Sequence, residues 1–273
     1  MDIVSKTLEK TVDKMSSYTT NSDVKQIFAV MGNEIIKFMR GKKIYIYLAI
    51  IGLLIALDVG IALMVPDSDG NRLSLLHDGD VIASSELGNL YLVLIIMATL
   101  FTSGAICSEF EERTALILLT KPIKRPTVIM GKFLASMAIG FATLVLYLIV
   151  SIIFKVIGQG HIDGELFAGM GVFLIYISSI TGVAMLVSAF AKKSSTSALI
   201  TLFTLLILPL ILEAIMGAKD LDTWFMLGSL GRTGSHVIGH TEGLNVFRDI
   251  CAMLAWTIVT LSGSILLFKK RQF

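Results

Sequence analysis

Six long apolar runs limit what this chain can fold into: Ile44–Val65, Asn89–Cys107, Phe133–Phe154, Leu166–Ala191, Ser197–Met216 and Ile250–Phe268. A hydrocarbon core about 30 Å thick takes about 20 residues of helix to cross, and each run reaches that length. Inside hydrocarbon the backbone N–H and C=O groups find no water, so a spanning segment must satisfy them as helix or in a closed barrel. Barrel strands alternate apolar and polar residues over about ten positions, a pattern absent here. The expected fold class is an all-α integral membrane protein with six transmembrane helices. The six runs hold two formal charges, Asp58 and Glu213, in a chain that is 16% charged overall; a soluble domain carries roughly 25%.

Lysine and arginine set the orientation. Of the 23, eight precede the first run, five lie in Ser108–Lys132, two are Lys192 and Lys193, and three fall in Lys269–Arg271. The other side holds Arg72, Lys155, Lys219, Arg232 and Arg248. The positive-inside rule then places both termini in the cytoplasm, as expected of a multi-pass protein of the cytoplasmic membrane. The first forty residues are polar, and the first apolar run is too long for a signal h-region, so no cleavable signal peptide is expected. Net charge is +2, too small to point to a partner, and no nucleic-acid partner is expected.

Ahead of the 44–273 transmembrane domain the chain divides in two. Residues 1–23 are a polar extension in which Val4, Leu8, Val12 and Met15 recur at helical spacing among charges, a pattern open to a surface helix or to disorder. In 24–43, Ile27, Met31, Ile35 and Phe38 line one face and Lys37, Arg40, Lys42 and Lys43 supply a basic one. That predicts an amphipathic helix in the membrane interface.

The outer connections, Pro66–Gly88, Ile157–Glu165 and Gly217–Asp249, are too short to be domains. In the third, Trp224, Phe225, Met226, Leu227 and Leu230 sit among Gly228, Gly231, Gly234 and Gly239. The mix suits short re-entrant or interfacial helices joined by glycine breaks before the last span, or a plain outer loop. Cys107 and Cys251 fall at opposite ends of their spans, beyond disulfide reach.

The loop from Ser108 to Lys132 is the most informative. Ser108 reads as an N-cap, Glu109, Glu111 and Glu112 favour the positive end of a helix dipole, and Ala115–Leu119 is an apolar run. Pro122 ends the helix, Lys124 and Arg125 follow, and Ile129 begins the re-entry into span three. The result is a short helix parallel to the membrane.

The order Glu109-x-Glu111-x-x-Thr114, Leu118-Leu119, Pro122, Arg125, Gly131-Lys132 resembles the permease subunits of type-2 ABC exporters. It is most similar to the branch that includes the nitrous-oxide-reductase maturation and sodium-extrusion permeases. The likeness extends to the interfacial helix with Glu34, the six spans and the glycine-rich outer segment; Arg113 departs from it, standing where the family commonly has glycine. The resemblance implies that this loop is a cytoplasmic coupling helix seated on a separate ATP-binding subunit. It also implies two copies of that subunit and a second permease copy, either the same chain or a close paralogue, surrounded by membrane lipid. The chain itself has no P-loop: Gly131-Lys132 is followed by Phe133 and lacks the earlier glycine. ATP and Mg are therefore expected on the partner, no cofactor on this chain, and no enzymatic activity from it alone.

Isolated residues have competing readings. Asp58 is costly inside a span; it either faces a translocation path or dimer interface, or pairs with Lys155. Glu213 follows Pro209 by one turn and is either exposed to the outer cavity by a kink or snorkels to the surface. His77, His161, His236 and His240 all lie in outer loops. His236 and His240 have helical metal-ligand spacing and Met226 is a soft ligand nearby, but no carboxylate or cysteine completes a site. Ser178, Ser179, Thr181 and Gly182 suit close helix packing. The rival functions are a stand-alone secondary transporter, which ordinarily shows repeated halves not found here, and a membrane-anchored accessory protein without an ATPase. An intramembrane enzyme would need His and Glu within spans.

Overall fold

The computed structural model describes residues 23–64, 79–111, 125–158, 164–219, 221–238 and 245–270. Side chains at 58, 61–64, 79–86, 157, 158, 269 and 270 fall outside that description, as does the segment 112–124. Among the described residues all regular structure is helical. Helix α1 covers 23–40, α2 Lys42–Met64, and α3 Gly79–Met97, which widens into a π-helical turn at Ala98–Thr102. Then come α4 (Cys107–Glu111), α5 (Arg125–Gly158) and α6 (Gly164–Phe190). Helix α7 is a compound of Ser194–Leu202, a π turn at Phe203–Ile207 and Leu208–Gly217; α8 (Leu227–Ile238) and α9 (Val246–Lys270) complete the chain.

Five helical runs are long and apolar enough to cross a membrane: Leu87–Glu111, Arg125–Val156, Gly164–Phe190, Ser194–Gly217 and Val246–Phe268. The protein is a multi-pass membrane protein. These runs are longer than the sequence runs suggested, because polar end residues continue the helices. The second run passes Cys107 and reaches Glu111, and the third begins at Arg125 rather than near Phe133. Helix α2, at 23 residues, is a further apolar helix.

Helix α6 is the hub. It packs most extensively on α9, then on α8 and α5, while α3 packs on α5 and α2. Small and hydroxylated residues bring α6 and α9 together. Ser178 Oγ lies 2.9 Å from Thr257 Oγ1, Ser179 Oγ donates to Met253 O at 2.7 Å, and a Cβ on Gly182 would strike Thr260 Oγ1. Lipid tails offer no hydrophobic drive for association, so such close approach and interhelical hydrogen bonding hold the pair together.

The irregularities have local causes. Pro209 has no N–H to return to Leu205, and α7 widens to a π turn just ahead of it. Span two breaks at Ser103–Ile106, and neighbouring hydroxyls satisfy the freed backbone. Ser188 Oγ accepts the N–H groups of Ile106 (2.9 Å) and Cys107 (3.1 Å), and Ser197 Oγ donates to Ser103 O at 2.5 Å. Gly104 is glycine because a Cβ there would meet Ser194 Oγ at 2.8 Å.

Candidate functional site

One end of the bundle gathers the charged residues singled out in the sequence. Glu34 on α1, Glu109 on α4 and Lys132 on α5 form a buried carboxylate–ammonium–carboxylate triad. Lys132 Nζ lies 2.5 Å from Glu34 Oε1 and 2.6 Å from Glu109 Oε1. Their side chains are 3% (Lys132), 7% (Glu34) and 10% (Glu109) exposed, so solvent screens the triad little. Removing one member of such a group leaves an uncompensated buried charge, at about 3–5 kcal/mol. Lys132 is thus committed to two carboxylates, which gives the Gly131-Lys132 pair a purpose unrelated to phosphate. Gly131 lets α1 in: a Cβ there would lie 2.7 Å from Val30 Cβ.

Two further contacts frame the same end. Glu111 Oε2 accepts the Ser194 N–H at 2.8 Å, capping the first turn of α7. Arg125 Nη1 donates to Phe268 O at 3.2 Å, satisfying a carbonyl in the last turn of α9. Glu111 stays exposed, and Arg125 makes a further interaction beyond this one. Ser108, read from the sequence as an N-cap, is not one. It lies inside α4 and its N–H bonds to Gly104 O at 3.1 Å, because the helix resumes at Cys107 after the break. Glu112, Thr114 and Pro122 lie outside the described residues.

The described residues on either side of 112–124 are therefore anchored in the bundle. The entry to that segment is tied to α5 through Glu109–Lys132 and to α7 through Glu111–Ser194. Its exit is tied to α9 through Arg125 and to α1 through Gly131 and Lys132.

The opposite end is covered by α8. Its glycines form a packing face: a Cβ on Gly228 would meet Glu213 Oε1 at 2.5 Å, on Gly231 Tyr176 Oη at 2.8 Å, and on Gly234 the Phe173 ring at 2.7 Å. Glu213 neither snorkels nor stands open to water. Its Oε2 pairs with Arg232 Nη2 of α8 at 2.6 Å, with the Glu213 side chain 14% exposed. Burial acts to lower the Arg232 pKa, but the Glu213 hydrogen bond and charge outweigh it, so the pKa lies above the ordinary arginine value. The sequence reading missed this partner, although a lone carboxylate in a span calls for a counter-charge and Arg232 is one of few on that side. Asp249 is a second unforeseen residue. It accepts from Thr233 Oγ1 (3.1 Å) and Arg248 Nε (3.2 Å), and the Arg248 guanidinium stacks 4.4 Å above the Trp224 ring. Asp58 lies outside the described side chains. His236 sits exposed on α8 and His240 lies outside the described residues; no cluster able to hold a metal occurs among the described residues.

Residues 13–273 match the model of the ABC-2 family transporter protein. The chain belongs to the ABC-2 transporter family. No curated protein matches it. Membership makes the chain the membrane permease of an ABC transporter, a transport component that is not itself catalytic. ABC-2 permeases associate in general with an ABC ATP-binding subunit.

Proposed function

We propose that this permease is the transmembrane half of an exporter in the cytoplasmic membrane. Two permease copies, identical or closely related, pair with two ATP-binding subunits that carry ATP and Mg. In this reading α2 is the first of six spans, α1 lies in the membrane interface, both termini are cytoplasmic, and α8 is a re-entrant outer helix. The Glu109-to-Lys132 pattern favours the branch with the nitrous-oxide-reductase maturation and sodium-extrusion permeases.

The observation that carries the reading is the anchoring of 112–124. A coupling element must be rigidly attached to the helices it moves, and both ends of this segment are tied into the bundle by ionic and capping contacts. Docking of an ATP-binding subunit on it would move α1, α4 and α5 as one piece through the triad.

The test uses co-expressed, affinity-tagged permease and ATP-binding subunit. Glu112→Lys should reduce co-purification of the ATP-binding subunit by roughly tenfold, the scale of one lost charge-assisted contact. Glu86→Lys, near the other end of α3, should leave it unchanged. Glu112 is the better probe than Glu111, whose change would also uncap α7. Normal co-purification and transport in Glu112→Lys would remove this loop as the coupling element.

A further inference from the structure

A cleft of about 400 Å³ opens at the triad end, between the α1–α2 elbow and the broken end of span two. Lys37, Lys42 and Lys43 line its elbow side; Ser108, Glu111 and Ser194 lie opposite, with Glu34 also on the wall. Glu34 is paired with Lys132, while Glu111 accepts the neutral Ser194 N–H and keeps its charge on the far wall. Lys43 Nζ donates to Leu100 O at 3.2 Å, a carbonyl of the π turn. Among the described residues, Lys37 and Lys42 have no anionic partner, and both are exposed. Each ammonium carries three donors and no acceptor, so the cleft presents unspent positive charge beside two hydroxyls.

The surroundings decide which anion fits. Phe28, Ile36 and Met39 on α1 and Tyr45 and Ile46 on α2 are all more than half exposed. On a membrane protein, an amphipathic helix with such residues lies at the boundary between headgroups and acyl chains. The cleft mouth is then at headgroup depth, with apolar side chains beside it for the tails. Basic pockets at this depth attract anionic lipid. A zwitterionic headgroup would bring its own ammonium against three lysines.

We infer that this cleft binds the phosphate of an anionic membrane lipid, held chiefly by Lys37 and Lys42. The inference does not depend on any ATP-binding subunit. The experiment is native mass spectrometry of the full chain in detergent, titrated with phosphatidylglycerol, with phosphatidylethanolamine of the same acyl chains, and with inorganic phosphate. Phosphatidylglycerol should bind in preference to phosphatidylethanolamine. The Lys37→Gln/Lys42→Gln variant should lose its affinity by on the order of twentyfold, roughly fivefold per lysine, with an unchanged melting temperature. Lys192→Gln/Lys193→Gln, which removes the same charge at the same end, should bind as the parent does. Equal binding of the two lipids overturns the proposal, as does unaltered phosphatidylglycerol affinity in the elbow variant or an equal loss in the control. Displacement of phosphatidylglycerol by millimolar inorganic phosphate would make free phosphate the ligand and overturn the assignment to lipid.

Discussion

Lys132 is the residue on which the triad end of the permease depends, because two carboxylates on different helices share its one ammonium. Lys132→Met leaves Glu34 and Glu109 buried against each other with no counter-charge. The expected cost is about 3–5 kcal/mol, seen as a large fall in the melting temperature of the detergent-solubilised protein. The triple variant Glu34→Gln/Glu109→Gln/Lys132→Met should recover most of that loss, since replacing a whole buried ionic group is often close to neutral. A single Lys132→Met variant that melts with the parent would show that the triad contributes nothing to stability. The sequence made all three members visible as candidates. Their mutual contact was not legible, since 98 residues separate Lys132 from Glu34 and the close approach of α1 to α5 at Gly131 shows only in the packing. Glu111 and Arg125 were legible as important, but the hydrogen bonds they make to Ser194 and Phe268 were not. A side chain that caps a helix end looks, in one dimension, the same as one that meets a partner.

At the scale of elements, apolar length revealed the spans and hid their ends. Hydropathy falls off where Glu109, Glu111, Arg125 and Lys132 begin, yet the backbone stays helical there because these charges are paired or capping. The break at Ser103–Ile106 was equally hidden, its hydroxyl partners lying on α6 and α7. Helix α8 was foreshadowed in part: the glycines read as breaks between short helices, yet Gly228, Gly231 and Gly234 lie within one helix and form its packing face. Its docking is testable through that face. Gly234→Leu forces a side chain into the Phe173 ring, where the Cβ alone would be 2.7–2.9 Å from ring atoms. Overpacking of this kind costs about 1–3 kcal/mol and should lift α8 from α6, lowering the melting temperature and transport together. Gly171→Ala, whose Cβ meets nothing within 4 Å, should change neither. If Gly234→Leu transports and melts like the parent, α8 is not held by its glycine face.

At the scale of the whole molecule, burial is uneven in a way that bears on assembly. The spans of α3 and α6 are mostly buried within one copy, while those of α5, α7 and α9 are mostly exposed. Helices α2 and α7 both pack against the α3 segment and its π turn. Leu53 and Leu57 on α2 and Leu199, Phe203, Leu210 and Ile211 on α7 present exposed apolar side chains. A two-fold pairing places the same patch on both copies. This is the interface the proposed exporter needs if the path runs between two permeases. Cysteines at Leu57 and Phe203, introduced with Cys251 replaced by serine, should therefore crosslink between copies in membranes under mild oxidation. A cysteine at Ile149, on an exposed face of α5, should not. Efficient crosslinking at Ile149 with none at Leu57 or Phe203 would move the interface to α5. A particle mass corresponding to one permease with one ATP-binding subunit would remove the dimer altogether.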